Sequence, residues 1–200
     1  SKIIENVRKY SNTPLYIGFG VDENTCKEKI IGVDGVIVGS AFVKYIIDEA
    51  MENPGSRRLL VTSWNPLQIN EMILPPCHSF FQINIENEYI DLQWYQRSSD
   101  LFLGAPANVL NYSILLSILG RILNKTPRYL SMSIGDAHIY NNHISQVKEL
   151  LLRKPYSTEN TTLQINPKLK TLEDFENATI DDFIIVNYRH HPALKAPMAV

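Results

Sequence analysis

Cysteine is scarce in this chain: Cys26 and Cys77 are the only two in 200 residues, and they stand in unrelated surroundings. Two such thiols supply neither a disulfide framework nor the paired spacing of a metal-ligand set, so no bound metal is expected. Charge of one sign is also lacking, because 19 Lys and Arg face 21 Asp and Glu for a formal net charge of −2. A global basic field for DNA or an anionic membrane is thereby excluded, although a local cluster can still hold a phosphate. Long apolar runs are missing too. The longest, residues 109–123, is broken by Asn111, Ser113, Ser117, Gly120 and Arg121 and reads as a core helix rather than a bilayer span. No basic-then-apolar leader opens the sequence, and with so few cysteines the expected setting is the reducing cytoplasm. What is present, 44% hydrophobic and 20% charged residues, is ordinary globular composition.

Residues 15–18 and 35–38 read as short strands ending in glycine, and 2–10 and 23–30 as surface helices, a βαβα rhythm. A helix over 41–53 stops at Asn53-Pro54-Gly55, the strongest internal boundary signal in the chain. Residues 59–64 read as a strand, and 80–85 and 89–95 alternate around Glu86-Asn87-Glu88 as an antiparallel hairpin. Pro106 opens a long buried helix ending near Leu123. A second helix is expected over 140–153, with Ile144, Val147, Leu150 and Leu151 turned inward and Pro155 ending it. Residues 174–182 look loop-like, 183–187 form a strand, and Pro192 and Pro197 argue against regular structure in the tail.

Cys77 lies in Pro75-Pro76-Cys77-His78-Ser79-Phe80, followed after about twenty residues, a loop-and-strand spacing, by Tyr95-Gln96-Arg97-Ser98-Ser99-Asp100. A thiol works as a nucleophile when positive charge favours its thiolate, and Arg97 is the natural cation for that. The plain alternative is a small buried hydrophobe. In the same way Arg57-Arg58 taken alone is a solvated pair, and His138 alone a structural histidine.

Taken together, Ser56-Arg57-Arg58, Ser63-Trp64-Asn65, Pro76-Cys77-His78, Tyr95-Gln96-Arg97-Ser98, Asp100, Phe102-Leu103-Gly104, Asn108, Gly135-Asp136-Ala137-His138-Ile139-Tyr140 and the terminal Lys195-Ala196-Pro197-Met198-Ala199-Val200 resemble the C-terminal part of a thymidylate synthase. The resemblance covers residues 51–200. Before it, Gly18-Phe19-Gly20 and Gly35-Val36-Ile37-Val38-Gly39-Ser40-Ala41 resemble the last strand and helix units of the tryptophan synthase alpha chain, a TIM barrel, over residues 1–47. The two resemblances imply an α+β chain: a thymidylate synthase-like sheet-and-helix core over 51–200, preceded over 1–50 by a βαβα fragment of TIM-barrel type.

The main resemblance implies reductive methylation of dUMP to dTMP with methylenetetrahydrofolate as co-substrate. By its pattern Cys77 is the nucleophile, His78, Arg97, Asp100 and Asn108 share the catalytic centre, and Asn108 reads the pyrimidine amide edge where an aspartate would suggest a cytidylate enzyme. Arg97 and Ser98 hold the phosphate, with Arg57 and Arg58 reaching in from the other subunit of a homodimer. His138 and Tyr140 recognise the sugar hydroxyl, and Gln96 and Gly104 complete the wall. Asp100, Gly104 and Ala199 face the folate, the last from a tail that closes over it. Ala105 and Ala107 stand where the family has larger apolar residues. The family's N-terminal region, with its additional phosphate arginine, its proton-transfer glutamate and its folate-contacting tryptophans, has no matching positions here. Two further readings therefore stand beside the first: a nucleotide- or phosphate-binding module without turnover, and a chimera whose parts cooperate poorly.

Overall fold

The computed structural model describes residues 16–17, 35–36, 39–66, 69–72 and 74–198. Strands β1 (Tyr16–Ile17) and β2 (Gly35–Val36) pair in parallel, as a βαβ rhythm requires. The helices expected over 2–10 and 23–30, and the Gly18-Phe19-Gly20 turn, lie outside the described residues. Helix α1 (Gly39–Glu52) ends where Asn53-Pro54-Gly55 dictates.

The central sheet has the order β3-β4-β5-β6, with β3 at Leu60–Thr62, β4 at His78–Glu86, β5 at Tyr89–Asp100 and β6 at Thr126–His138. Strands β4 and β5 form the expected hairpin around Asn87-Glu88, and Asn87 takes the left-handed conformation (φ 53°) that a tight turn demands. Along β5 the side chains of Ile90, Leu92, Trp94 and Gln96 are buried while those between them are at least partly open. That period of two turns one face of the sheet towards the core.

The core side is closed by α1 and by α2 (Gly104–Ile122). Ile46, Ile47 and Ala50 of α1 share one buried cluster with Leu59, Ile83, Ile85, Ile90, Leu92, Trp94, Leu116 and Leu119. Gly120 allows α2 to close tightly on the loop before β6, since a Cβ there would sit 2.8 Å from the Lys125 carbonyl oxygen. The opposite sheet face, with Gln82, Asn84, Gln93 and Tyr129, borders an open groove.

Strand β6 was not expected from the sequence and pairs in parallel with β5 through the α2 crossover, so the sheet is mixed rather than antiparallel. Beyond it, a 3-10 turn at Asn141–His143 leads into α3 (Ile144–Leu152), shorter than the helix expected over 140–153. The inward stripe expected there is corrected: Ile144, Leu150 and Leu151 are 44%, 46% and 78% exposed. An apolar helix face says that something can cover it, not that this chain does. Strand β7 (Thr162–Ile165), also unexpected, pairs antiparallel with β8 (Phe183–Val186). The stretch read as a loop carries α4 (Leu172–Glu176) and a 3-10 turn (Ile180–Asp182), each opened by a capping box, Thr171 with Asp174 and Thr179 with Asp182. Among the described residues no helix is long and apolar enough to cross a membrane, and no group of three or more His, Cys, Asp or Glu could hold a metal ion.

Candidate active site

The topology brings distant sequence segments to one end of the sheet. Cys77 immediately precedes β4, and β4 runs antiparallel to β5, so the start of β4 lies beside the end of β5 with His78 opposite Gln96. Because β5 and β6 are parallel, their carboxyl ends also coincide: Asp100 pairs with His138, and the Leu101 N–H donates to the His138 carbonyl at 2.9 Å. Helix α2 starts at the same end with Gly104 and carries Asn108 one turn on. Such an end, at the carboxyl termini of parallel strands and a helix start, is where open α/β sheets bind ligands.

Cys77 is a free thiol, half-buried. Its carbonyl accepts the Arg97 backbone N–H at 2.9 Å. The Arg97 side chain reaches back to the same loop, donating from Nε to the Pro76 carbonyl at 3.1 Å and from Nη2 to that of Pro75 at 2.7 Å. Pro75 and Pro76 lie outside any helix or strand, so their carbonyls need donors from elsewhere, and one guanidinium serves both. The bonds use two of its five N–H groups and leave the rest for a further acceptor. Gly135 permits this packing, because a Cβ there would lie 2.7 Å from the Tyr95 hydroxyl and 2.9 Å from the Arg97 carbonyl oxygen.

Gln96 continues the buried row of β5 and is 3% exposed, so its amide must be satisfied. Its Oε1 accepts from the Trp94 indole Nε1 at 3.3 Å, and its Nε2 donates to the Ser98 carbonyl and to Asn108 Oδ1, each at 3.1 Å. The relay fixes which way the Asn108 amide points: Oδ1 faces Gln96, and Nδ2 is the donor turned elsewhere. Asp100 Oδ1 accepts from the Phe102 backbone N–H at 2.9 Å, at the entry to α2. A Cβ on Gly104 would meet Asp100 and Asn108 only at ordinary contact distance, 3.7 Å, so this glycine is not there to relieve a clash.

His78 Nδ1 lies 3.2 Å from the Tyr112 hydroxyl, and the two rings stack with centroids 5.5 Å apart. Tyr112 stacks in turn on Trp94 at 4.4 Å. Burial pushes the His78 pKa below its ordinary value and the Tyr112 phenol above its own, so both are neutral near pH 7. A cleft of about 280 Å³ opens beside them, lined by His78, Phe81, Asn111, Tyr112 and Leu115. The sequence did not single out Tyr112. Its signal was the position four residues after Asn108, one helical turn along the same face of α2.

His138 Nδ1 is 3.4 Å from the Asp136 carboxylate, and its ring meets Tyr140 edge-on at 5.0 Å. Arg57 and Arg58, in contrast, are not brought to Cys77. Both are exposed and precede β3, whose Leu60 stands opposite Gln82, five residues along β4 from Cys77. At the rise of an extended strand that is about 16 Å. Ala199 lies outside the described residues.

The thymidylate synthase family profile matches residues 36–200, and that of the tryptophan synthase alpha chain matches residues 1–66. A thymidylate synthase of Mycoplasma mobile is 45% identical over 154 residues, covering 77% of this chain and 52% of the relative. One from Malacoplasma penetrans is 46% identical over 208 residues, covering 96% of this chain and 70% of the relative. The crystal structure of thymidylate synthase from T4 phage superposes with a TM-score of 0.72 at 40% identity, covering 82% of this chain and 59% of that one. The chain thus spans about half the length of the first of these relatives. With the expected sheet-and-helix core present and the match running through most of its length, the chain belongs to the thymidylate synthase family.

Proposed function

We propose that this chain catalyses the reductive methylation of dUMP to dTMP, with methylenetetrahydrofolate supplying both the one-carbon unit and the hydride. The observation that carries this reading is the fastening of the Pro75–Cys77 loop to Arg97, by a backbone bond of 2.9 Å and side-chain bonds of 3.1 and 2.7 Å. It fastens the thiol-bearing loop to a cation with donors to spare at the carboxyl end of β5. In this reading the Cys77 thiolate adds to C6 of the pyrimidine, and the C5–C6 π pair moves towards C5 and O4. C5 then bonds to the folate's methylene carbon and loses its proton. The bond from that carbon to the folate nitrogen then breaks and leaves an exocyclic methylene on the ring; a hydride from the released tetrahydrofolate adds to it as the S–C6 bond breaks, giving dTMP, dihydrofolate and the free thiolate. Atoms and electrons balance without a metal.

The remaining roles follow the family resemblance. Arg97 and Ser98 hold the phosphate, for which a guanidinium fork is suited. Asn108, oriented by Gln96, offers Nδ2 to the uracil carbonyl, and a cytosine amino group there would set donor against donor. His138 and Tyr140 take the sugar hydroxyl, His78 lines the inner wall, and Asp100 and Gly104 stand between nucleotide and folate. Arg57 and Arg58 serve the site of a second copy in a homodimer. Their separation from Cys77 in one chain and the open sheet face with Gln82, Asn84, Gln93 and Tyr129 support that arrangement. Cys77 as a free thiol favours a reducing cytoplasm.

A second reading, nucleotide binding without turnover in a composite chain, draws on one observation. The first 66 residues match the tryptophan synthase alpha chain profile, where the family would supply its own N-terminal region. Calorimetric titration with dUMP, beside release of tritium from labelled dUMP in the presence of methylenetetrahydrofolate, separates the two. Binding with turnover supports the first reading; binding without it supports the second; absence of binding overturns both. Mixing Cys77→Ala chains with Arg57→Ala chains tests the shared site, because recovered activity requires one intact site built from two chains.

A further inference from the structure

After β6 the chain turns sharply, and the turn buries one histidine completely. His143 is 0% exposed, although Asn141, Asn142 and Ile144 around it are exposed. Its backbone N–H donates to the Tyr140 carbonyl at 2.9 Å. Its ring packs edge-on to Tyr140 at 5.7 Å and tilted against Phe102 at 5.5 Å. One histidine therefore touches Tyr140, two residues past the end of β6, and Phe102 in the Asp100–Gly104 corner that opens α2.

Its remaining contact is with the far end of the chain. Nε2 lies 2.7 Å from the carbonyl oxygen of Pro197. A carbonyl can only accept, so Nε2 carries the proton. Nδ1 is equally buried and has no hydrogen-bond partner among the described residues. Nε2 is thus the bonded donor and Nδ1 the nitrogen left without a partner. Two other bonds hold the same segment: Gln146 Nε2 donates to the Lys195 carbonyl at 3.4 Å, and Arg153 Nη1 to that of Pro192 at 2.6 Å. Both of those come from partly exposed side chains, where water competes for the carbonyl. The His143 bond is the one whose donor is fully buried.

We infer that His143 is a positioning residue that anchors residues 192–197 against the Asp100–Gly104 corner, so that the tail is held in a fixed place beside Tyr140 and Phe102. It touches no substrate in this scheme and acts through the tail. The inference rests on the functional reading above for the role of that corner, but the anchoring itself does not depend on turnover.

Hydrogen exchange on the ligand-free full chain tests it. In His143→Phe, which keeps an aromatic ring and loses the donor, amides of peptides within 192–198 should exchange about tenfold faster. His143→Gln, whose amide can reach the same carbonyl, should stay within about threefold of the parent. Peptides from β5 serve as the internal reference and should not change. Unchanged tail exchange in the phenylalanine variant, or equal acceleration in both variants with β5 unaffected, would overturn the anchor. Should the phenylalanine variant fail to fold, ¹⁵N resonances of the His143 ring in the unmodified chain decide. An Nε2-protonated ring with a slowly exchanging proton supports the anchor, and a rapidly exchanging, tautomer-averaged ring refutes it. Failure of the unmodified chain to bind dUMP would remove the functional reading and leave both of these results standing.

Discussion

The two sides of the candidate site are held together by different physics. On the nucleotide side, β4, β5 and α2 are fixed by apolar burial, with Ile83, Ile90, Leu92, Trp94 and Leu119 at 1% exposure or less. Polar groups there are bound into the same packing, as in the Trp94–Gln96–Asn108 relay. On the tail side, α3 buries no residue of its own and leaves Leu151 and Leu152 at 78% and 85% exposure. The tail rests on three side-chain bonds to carbonyls. A core resists local opening, whereas a few bonds to a peripheral segment permit it, so the two sides differ in how readily they open.

The sharpest way to break the comparison is chemical. Cys77→Ala should lower turnover by about 10⁴-fold or more, because Cys77 is the only thiol among the described residues. Its dUMP affinity, measured by calorimetry, should change little, since Arg97 keeps its bonds to Pro75 and Pro76. A variant that retains turnover would mean that the rigid end is not where the chemistry happens. Trp94→Ala attacks the same side through packing. Removing this 1%-exposed indole should cost about 3–5 kcal/mol, read as a lower denaturation midpoint. Deleting the side chain of Leu152 on the other side should cost less than about 0.5 kcal/mol. Equal costs would erase the distinction between the two regions.

Gln96→Leu is a smaller perturbation with a more specific signature. It is nearly isosteric but leaves the Trp94 indole N–H and Asn108 Oδ1 without the partner they share. The expected loss is about 1–3 kcal/mol in stability. In addition, discrimination between dUMP and dCMP should weaken, because the Asn108 amide is free to flip. Unaltered discrimination, measured by competition binding, would show that Asn108 does not need its orienter.

How much of this was legible in the sequence divides along the same line. The β4–β5 hairpin showed its period of two and its Asn87 turn, and α2 showed Pro106 in its first turn, so the rigid end could be drawn in advance. Strand β6 was not, although Leu130, Met132 and Ile134 alternate with Ser131 and Ser133. Pro127 and Gly135 at its ends mask the pattern, and both are tolerable because β6 is an edge strand. The stripe on α3 misled for the opposite reason: its periodicity is genuine, but a period cannot name the surface that covers it. Helix α4 was missed although Thr171 and Asp174 stand at capping-box spacing, because five residues carry too little periodicity to count. Family resemblance assembled the site residues. Geometry added what resemblance had omitted, namely Tyr112 behind His78 and His143 beneath the tail.

The smallest expected effect sharpens the comparison through pH. His78 is held below its ordinary pKa of 6.5 by burial, among Phe81 and Tyr112 on the rigid side. Between the lowered folded value and 6.5, the unfolded chain binds the proton that the folded chain refuses. Stability from this site is therefore complete above about pH 6.5 and declines as the pH falls towards the folded value, with a slope no steeper than about 1.4 kcal/mol per pH unit. Asp91 works in a lower window: hydrogen bonding from Arg128 holds its carboxyl below the ordinary range, so its contribution persists above the carboxylate range and disappears in stronger acid. Urea denaturation of the parent and of His78→Gln at intervals from pH 5 to 7.5 isolates the histidine, because Asp91 is common to both chains. Gln keeps a polar group within reach of the Tyr112 hydroxyl but does not titrate. The parent curve should bend downward on acidification and the variant curve should stay flatter; parallel curves would mean that His78 is open to water in both states, and that the stacked wall beside Cys77 is looser than its 4.4 Å Trp94–Tyr112 contact requires.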